Sequence, residues 1–524
     1  MDVSVVITKL LTSLGINKAF GIPGSSNPFF QAFYSEGVEP ILPKHEIGAG
    51  WMAIGYQLYT DGIPVVLCSR GPGVAQVIPV LAAAKNDFVP LIVLTTCISR
   101  PNWRKHFQDY SGCGLSVSQF QLAKASAKFA VRIQRITGIR DVILEAWQMM
   151  LSHPQGPIYI EVDETIMNKS VDTYEAINKT NITRSKFNIF TKDCSVSIIN
   201  KIAALRKPVF LIGAGLKEEQ TRRLALYTAN KLGACIVTTL KGKGHINNSC
   251  KFNYGVIGAY GSSNAKRIVD ECDGIVALGT SLNEMTIGEE YLNEMLKRNT
   301  NIFWVNLFFD EIKHAKDNII RCEYDLNHFI KYLYNKTKSI RYKRRWATFS
   351  GHGVSNSYNI FNILNNIKYS PKIYFVESVI QAVNDLVIDK PSQFHAIANS
   401  ASLGCALPAT IGAASTQDNC LFIAIMGDGG FQMSAMELMT AVNYKIKVIC
   451  IILVNNALGP ICRSFETKKL PKVACVFKNP DFSYLCNSFG IKGGHAHDLE
   501  TFEKLLTMSV SAKGSCIIAV DYQM

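Results

Sequence analysis

Short apolar runs, many of them opened by proline or glycine and followed by a stretch of helical periodicity, recur along the chain. Such runs predict strands that are buried on both faces of a parallel sheet, because the crossover connections of a parallel sheet place helices on its faces. The clearest runs are residues 64–68, 90–94 and 157–162, then 208–212, 235–238, 274–278 and 301–305, and finally 421–426, 448–454 and 516–520. The pattern therefore predicts an α/β protein.

The apolar runs fall into three blocks that are separated by polar stretches. A chain of 524 residues is long enough for about three domains, since one domain usually takes roughly 100–200 residues. The hydrophobic fraction of 48% allows each block to bury its own core. We therefore predict three doubly wound parallel-sheet domains with a basic linker before the last one. The predicted boundaries are residues 1–170, 190–335 and 366–524 for the domains and 336–365 for the linker.

The charge and the cysteines restrict the classes of partner and compartment. The net charge is +14, and its densest basic run lies between Lys336 and Arg345; a run between two domain patterns is more typical of a solvated linker than of a nucleic-acid surface. The chain contains no run of about 18 apolar residues, the length that predicts a membrane span. The N-terminus also lacks the pattern of a signal peptide. The 15 cysteines show neither Cys-x-x-Cys spacing nor a compact cluster, which argues against a zinc site or a disulfide framework. We therefore expect a cytoplasmic protein that binds neither nucleic acid nor membranes.

A glycine-rich turn follows the apolar run that ends at Met426. It reads Gly427-Asp428-Gly429-Gly430 and precedes a stretch of helical periodicity. Glycines at such a turn allow the backbone to approach phosphate closely, and the amides at the start of the following helix bind anions. Asp428 supplies a carboxylate oxygen, and Asn455-Asn456 return a second oxygen donor at the end of the next predicted strand. Oxygen donors of this kind are the ligands that Mg²⁺ prefers.

The pairing of this turn with the two asparagines resembles the metal and diphosphate signature of the thiamine-diphosphate-dependent enzymes. The resemblance implies that Asp428, the side chain of Asn456 and the carbonyl of Leu458 coordinate Mg²⁺. The implied contacts to the diphosphate are Gly427, Gly429 and Gly430. Many members of the family have serine where Gly430 stands.

Glu46 stands at the start of a predicted helix in the first block. In isolation, a glutamate at that position usually only complements the helix dipole. Thiamine chemistry, however, requires a carboxyl group on the N1′ atom of the aminopyrimidine, because protonation there favours the imino tautomer whose 4′-nitrogen removes the C2 proton. The His45-Glu46 pair, with Gly24 before it and Gly71 and Gly73 after it, resembles the pyrimidine-binding domain of the family. The resemblance makes Glu46 the catalytic glutamate and places the three glycines in the cofactor site.

Two further segments extend the resemblance, most closely to the acetolactate synthase-like branch. Residues 107–109 look like that branch's Phe-Gln-Glu element, which implies a catalytic position for Gln108 near the substrate. Residues 402–409 resemble the segment that bends the cofactor, with Leu403 as the apolar wedge and the carbonyl of Ala401 accepting from the 4′-amino group. The three predicted domains then correspond to the pyrimidine-binding, central and diphosphate-binding domains. The family places each cofactor between two subunits, which implies a homodimer or homotetramer.

The chain departs from the branch at positions that would identify its substrate. Ser281 and Met285 stand where acetolactate synthases carry arginines for flavin and substrate, and the Gly213-Ala214-Gly215 turn lacks the third glycine of a dinucleotide fingerprint. We therefore expect a structural turn there and no FAD. Cys462 occupies the position at which simple decarboxylases have a proton-donating glutamate. The proton donor is left unassigned, and its candidates are His106, Gln108 and Cys462.

Three hypotheses for function follow. The resemblance implies a thiamine-diphosphate-dependent lyase or transferase that acts on a 2-oxo acid, either a decarboxylase or a carboligase. The second hypothesis is a flavin-linked oxidase or an acyl-CoA lyase of the same fold. The third is a non-catalytic homologue that retains the cofactor site, suggested by the missing acid and arginines. The presence of Glu46, which cofactor binding alone does not require, favours an enzyme over the third hypothesis.

Overall fold

The computed structural model describes most of the chain. The described residues are 1–98, 107–171, 196–248, 250–259, 261–283, 286–298, 300–307, 318–338, 346, 359–397 and 401–522. The chain divides into two compact units. The first unit comprises residues 1–186, 369–378 and 399–524, and the second comprises residues 187–368 and 379–398. None of the described helices is long and apolar enough to cross a membrane.

The N-terminal part of the first unit is built on a six-stranded parallel sheet. Its strands β1 to β6 are Ala19–Gly21, Pro40–Ile41, Val65–Leu67, Ile92–Cys97, Phe129–Ile133 and Ile158–Asp163. Their order across the sheet is β2-β1-β3-β4-β6-β5. Helices α1 to α7 are Val3–Ser13, Asn27–Ser35, Glu46–Thr60, Pro72–Asn86, Gln119–Ser126, Ile139–Leu151 and Glu164–Met167. Helix α4 begins sharply because Gly71 turns the chain with a φ of +69° and Pro72 supplies the backbone angle of a first helical residue.

The second unit contains a second parallel sheet of six strands. Strands β7 to β12 are Pro208–Ile212, Cys235–Thr238, Asn253–Val256, Gly274–Leu278, Asn301–Asn306 and Ile319–Glu323, in the order β12-β11-β10-β7-β8-β9. Helices α8 to α13 are Val196–Ala203, Glu219–Lys231, Ser263–Glu271, Glu289–Lys297, Leu326–Thr337 and Ile360–Asn366. A Cβ atom added at Gly215 would lie 2.9 Å from the Cα atom of Gly279, and one added at Gly213 would lie still closer to the carbonyl oxygen of Gly279. The Gly-x-Gly turn therefore has a packing role between β7 and β10.

The third sheet lies in the C-terminal part of the chain. Strand β13 is Lys372–Val376. Helix α14, Ile380–Asp385, and strand β14, Phe394–Ala396, follow it in the chain and belong to the second unit. Strands β15 to β18 are Leu421–Gly427, Ile449–Val454, Lys492–Ala496 and Cys516–Asp521. Within the first unit the strand order is β13-β15-β16-β18-β17, and all these pairs are parallel. Helices α15 to α20 are Ala406–Ala414, Asp428–Ser434, Leu438–Asn443, Gly459–Thr467, Phe482–Phe489 and Leu499–Ser511.

Every apolar run that the sequence predicted to be a strand lies on a strand of these sheets. Three parallel sheets with interleaved helices confirm the predicted fold class. The sequence also predicts short strands that end near Phe20-Gly21 and at residues 40–43, and these correspond to β1 and β2. It does not predict β5, β9, β12, β13, β14 and β17. The predicted domain boundaries stay predictions.

Candidate cofactor site

The predicted metal ligands come together at the carboxyl ends of two neighbouring strands. Strand β15 pairs with β16 so that Gly427 lies opposite Leu453, and Asp428 and Asn455-Asn456 follow directly. Asp428 opens helix α16 and is only 1% exposed. Its position is fixed by backbone donors, since the amides of Asn455 and Asn456 reach its Oδ2 atom at 3.1 and 2.7 Å. Asn456 holds this geometry with a φ of +57°, in the left-handed region that asparagine tolerates better than most residues.

Asn479 joins this pair, although the sequence did not single it out. Its Nδ2 atom donates to Oδ2 of Asp428 at 2.7 Å and to Oδ1 of Asn456 at 2.9 Å. The carboxylate and the amide oxygen therefore converge on one electropositive group. Hard oxygens that converge in this way are a donor set for Mg²⁺, so the residues present fit that ion. The carbonyl of Leu458, the predicted third ligand, accepts amide hydrogen bonds from Ile461 and Cys462 at the start of helix α18.

The glycines of the turn differ in what surrounds them. A Cβ atom at Gly427 would meet nothing within 4 Å, so this face of the backbone is open to a ligand. A Cβ at Gly429 would lie 2.8 Å from the side chain of Leu458. A Cβ at Gly430 would overlap the carboxylate of Glu377, well below the 3.0 Å that real Cβ atoms keep. The turn is thus open at its first glycine and closely packed at the other two.

Glu377 is a second residue that the sequence did not predict. It follows strand β13, is 4% exposed, and accepts hydrogen bonds from the amides of Gly404, Cys405 and Ala406 at 2.9, 2.8 and 3.0 Å. Burial raises the pKa of Glu377, and the donating amides of Ala406 and Gly404 partly oppose that increase. The carboxylate thereby binds the amides at the start of helix α15. A signal was available, because Glu377 directly follows the apolar run 373–376, and residues just beyond the carboxyl ends of strands line the ligand crevice of doubly wound sheets.

The segment before helix α15 contains the residues predicted to hold the aminopyrimidine. Ala401 has a φ of +46°, a conformation that costs energy for a residue with a Cβ atom and is concentrated at functional sites. Leu403 is 37% exposed, whereas the helix that follows is buried throughout. An exposed leucine beside a buried helix is consistent with the apolar wedge that the sequence predicts.

The catalytic glutamate predicted from the sequence opens helix α3. His45 caps that helix, and its Nδ1 atom accepts from the amide of Ile47 at 3.1 Å. A Cβ atom at Gly73 would lie 3.4 Å from Oε1 of Glu46 and 2.8 Å from Oγ of Ser69, so Gly73 leaves space beside the carboxylate. Gly24 approaches Ser69 from the other side, at 2.7 Å for an added Cβ. The structure therefore brings Gly24, Gly73 and Glu46 into one neighbourhood.

Gln108 and Gly71 also lie together. A Cβ atom at Gly71 would be 3.2 Å from the carbonyl oxygen of Gln108, and Gln108 itself has a φ of +53°. The amide of Gly71 donates to Oε1 of the buried Gln119 at 2.8 Å. The alternative candidate His106 lies outside the described residues.

Glu437 connects the turn after helix α16 with the segment just before Glu46 of the same chain. It lies in the 3-10 turn after α16 and is 3% exposed. Its carboxylate accepts the amides of Lys44 and His45 at 3.1 to 3.2 Å, next to Glu46. Burial raises the pKa of Glu437, and the amide of Lys44 partly opposes the shift. The sequence did not predict this contact, since it joins residues that are almost four hundred positions apart.

Cys462, a candidate proton donor, is buried in helix α18. Its Sγ atom lies 2.7 Å from the Sγ atom of Cys475, and this neighbour raises the pKa of the Cys462 thiol. A buried thiol with a raised pKa is a weak acid near neutral pH.

Comparison with known proteins gives the family. Residues 1–113 match the model of the N-terminal TPP binding domain of thiamine pyrophosphate enzymes, residues 197–333 the central domain, and residues 378–520 the C-terminal TPP binding domain. The chain is 24% identical to the large subunit of acetolactate synthase isozyme 2 of Escherichia coli, over 98% of this chain and 94% of that protein. It is also 24% identical to the acetolactate synthase large subunit of Lactococcus lactis, over 93% and 87%, and to the mitochondrial catalytic subunit of Saccharomyces cerevisiae, over 98% and 80%.

These matches favour neither a flavin-linked oxidase or acyl-CoA lyase nor a non-catalytic homologue. The two TPP-binding domain models also hold the residues that the sequence assigned to the cofactor, from Gly24 to Gly73 in the first and from Ala401 to Gly430 in the second. The chain therefore belongs to the thiamine pyrophosphate enzyme family, in its acetolactate synthase-like branch, and its cofactor is thiamine diphosphate.

Proposed function

We propose that this enzyme decarboxylates a 2-oxo acid with thiamine diphosphate and Mg²⁺ and transfers the remaining acyl unit to an acceptor carbonyl. The acetolactate synthases that resemble it over nearly their whole length support this class of substrate. The observation that carries the proposal is the convergence of Asp428 and Asn456 on one point beside an open glycine turn. Thiamine diphosphate, when bound, supplies the C2 nucleophile and accepts the electron pair that CO₂ leaves behind.

The proposed roles at the diphosphate end follow from the donor set. Asp428, the side chain of Asn456 and the carbonyl of Leu458 hold Mg²⁺, which neutralises the diphosphate charge. The amides at the start of α16 face the phosphates, because a helix N-terminus carries unpaired N–H groups and positive potential. The open face of Gly427 admits the phosphate to the turn, and Gly429 and Gly430 present their amides.

At the pyrimidine end, the proposed roles are proton exchange with the cofactor and support of its bent conformation. Glu46 exchanges a proton with the N1′ atom of the aminopyrimidine, in space that Gly24, Gly71 and Gly73 leave by lacking side chains. The carbonyl of Ala401 accepts from the 4′-amino group. Leu403 supports the bend of the cofactor with its exposed apolar side chain.

Transfer to an acceptor carbonyl is favoured over protonation by the state of Cys462. This residue stands where simple decarboxylases carry an acid, yet its thiol is buried and has a raised pKa. A weak acid at this position protonates the product slowly, so a second carbonyl compound has time to react. Gln108 orients the substrate, and its left-handed backbone keeps it beside Gly71.

A product assay tests the proposal. The protein is incubated with Mg²⁺, thiamine diphosphate and a panel of 2-oxo acids, with and without added aldehydes or a second 2-oxo acid, and CO₂ and carbon–carbon bonded products are measured. We expect Glu46→Gln to lower CO₂ release by about two to four orders of magnitude, the usual range for a lost proton-transfer group. Glu500→Gln, at an exposed glutamate paired with Lys504, is the matched control and should retain activity. Equal activity of wild type and Glu46→Gln would contradict the proposed mechanism.

We further propose that the minimum active unit is a homodimer in which Glu46 of one subunit serves the cofactor held by Asp428 of the other. Mixing Glu46→Gln with Asp428→Asn tests this arrangement, because a mixed dimer then contains one intact site. If subunits mix freely in a symmetric dimer, activity should return to about a quarter of the wild-type value. If each site were formed within one chain, every chain in the mixture would carry a defect and no activity would return.

A further inference from the structure

Cys462 and Cys475 form a pair of buried thiols beside the predicted metal end. Cys462 lies in helix α18, and Cys475 lies in the extended segment that follows it. The two Sγ atoms are 2.7 Å apart, and Sγ of Cys462 is also 3.4 Å from the carbonyl oxygen of Cys475. A disulfide bond is about 2.03–2.05 Å long, so the sulfur atoms need to approach by less than about 1 Å to form one.

The backbone around the pair is already held in place. The amide of Leu458 donates to the carbonyl of Cys475 at 2.8 Å, and the amide of Phe477 donates to the carbonyl of Asn456 at 3.0 Å. These bonds flank an antiparallel bridge between Ala457 and Val476. Because both chain segments are paired, the two sulfur atoms are brought together by the fold and not by a chance rotamer on a free loop.

We propose that Cys462 and Cys475 form a disulfide when the protein meets a small-molecule disulfide of the glutathione type. In the first step the thiolate of Cys462 attacks one sulfur of the small disulfide, which forms a mixed disulfide and releases one small thiol. In the second step the thiolate of Cys475 attacks the sulfur of Cys462 and releases the second small thiol. The cysteine pair loses two electrons, the oxidant gains them, and the two protons of the cysteines end on the released thiols.

Cys462 is the residue that reacts first, because it is 7% exposed whereas Cys475 is 1% exposed. Attack on the small disulfide requires the thiolate form of the cysteine. An excess of a small thiol reverses the two exchange steps and restores both cysteines.

The disulfide would tie down the segment that carries Asn479. This side chain lies two residues beyond Phe477 and donates to both Asp428 and Asn456. Oxidation therefore restricts the motion of the segment at the metal end of the site, which slows both the entry and the release of Mg²⁺ and thiamine diphosphate severalfold and does not require tighter binding. This consequence rests on the proposed function, whereas formation of the disulfide does not.

Peptide mapping of the full chain tests the disulfide directly. The protein is treated with oxidised glutathione, denatured, alkylated and cut with trypsin, which cleaves after Lys447 and Arg463 and after Lys472 and Lys478. We expect peptide 448–463 linked to peptide 473–478, with a mass two hydrogens below the sum of the two thiol peptides. Exposed Cys113 should carry glutathione in the same sample, which verifies that the oxidant reacted.

Two variants locate the bond, since peptide 448–463 also contains Cys450. The linked peptides should persist in Cys450→Ser and disappear in Cys475→Ser. Alkylation of both Cys462 and Cys475 after treatment, a bond to Cys450, or a stable glutathione adduct on Cys462 would each overturn the proposal.

Cofactor release separates the consequence from the proposed function. Oxidised and reduced holoenzyme are diluted into EDTA, and the loss of bound thiamine diphosphate is followed over time. Severalfold slower loss from the oxidised protein, and no difference for Cys475→Ser, is the expected result. A disulfide with unchanged release would overturn the effect on the site, and a disulfide in a protein that binds no thiamine diphosphate would refute the proposed function alone.

Discussion

Replacing Gly430 by alanine tests whether the close approach of Glu377 to helix α16 organises the site. A Cβ atom at position 430 would overlap Oε1 of Glu377, so the carboxylate must move by about 1 Å or more to restore ordinary contact. Glu377 cannot move by that distance and keep its hydrogen bonds to the amides of Gly404, Cys405 and Ala406. The substitution therefore acts on helix α15 through a carboxylate on another strand.

The expected magnitude follows from two opposing terms. Alanine is favoured over glycine inside a helix by roughly 0.5–1 kcal/mol. The displaced carboxylate loses at least one charge-assisted hydrogen bond, which costs about 1.5–3 kcal/mol. We therefore expect Gly430→Ala to lower the free energy of unfolding by about 1–2 kcal/mol. In a Glu377→Ala background the space is already free, and the same substitution should be neutral or stabilising.

Urea denaturation of the four members of this double-mutant cycle measures the coupling. The two substitutions should be coupled by about 1–3 kcal/mol, because they remove the same overlap. Gly427→Ala is the matched control, since a Cβ atom at that glycine meets nothing within 4 Å and the stability of the cofactor-free protein should hardly change. Additive effects of Gly430→Ala and Glu377→Ala would refute the reasoning.

Three further substitutions probe the second unit and the two ends of the site. Burial lowers the pKa of Lys243 to about 7 from 10.5. The unfolded chain therefore binds more protons than the folded protein between these pH values, and the free energy of unfolding rises with pH there. Lys243→Met should stabilise the protein at pH 6 by about 1.4 kcal/mol per unit of pKa shift, and by less at pH 9, as measured by urea titration. Asn479→Ala removes an amide that competes with a cation for both predicted metal ligands. Calorimetry should therefore show a severalfold lower dissociation constant for Mg²⁺. An unchanged dissociation constant would contradict this competition. Gly73→Ala places a methyl group 3.4 Å from the Glu46 carboxylate. It should lower kcat by about tenfold or more, because a small displacement of a proton-transfer group slows the reaction strongly. Urea titration of the same variant measures any loss of stability separately.

The strands that the sequence predicted are the buried ones. A run such as residues 208–212 is apolar throughout because helices cover both faces of the central strands, and this requirement is visible without knowledge of the fold. Most of the missed strands lie at sheet edges, and several of them are only partly buried; β5, β12 and β17, for example, contain several partly exposed positions. Edge strands therefore lack the continuous apolar run that made the others recognisable.

The residues of the candidate site also divide into those that the sequence predicted and those that it did not. Asp428 and Asn456 could be predicted because each directly follows a recognisable strand, and parallel strands deliver their carboxyl ends to one edge. Asn479 could not, since it lies in a segment without periodicity and reaches the pair only through tertiary structure. The role of Glu437 is even harder to predict from the sequence, because its partners Lys44 and His45 lie in a different predicted domain of the same chain.

Glu377 and Glu437 share a physical role that the motif residues do not show. Each is a buried carboxylate that accepts hydrogen bonds from backbone amides at the start of a helix. Glu377 does so at α15, and Glu437 does so just before α3. Removing such a carboxylate leaves several amides without an acceptor, so both helix ends are held firmly by groups that need not touch the cofactor. In the described part of the chain, Ser281, where the resemblance expects an arginine, takes no part in these hydrogen bonds. A substitution at Ser281 therefore leaves the hydrogen bonds at the starts of α3 and α15 in place.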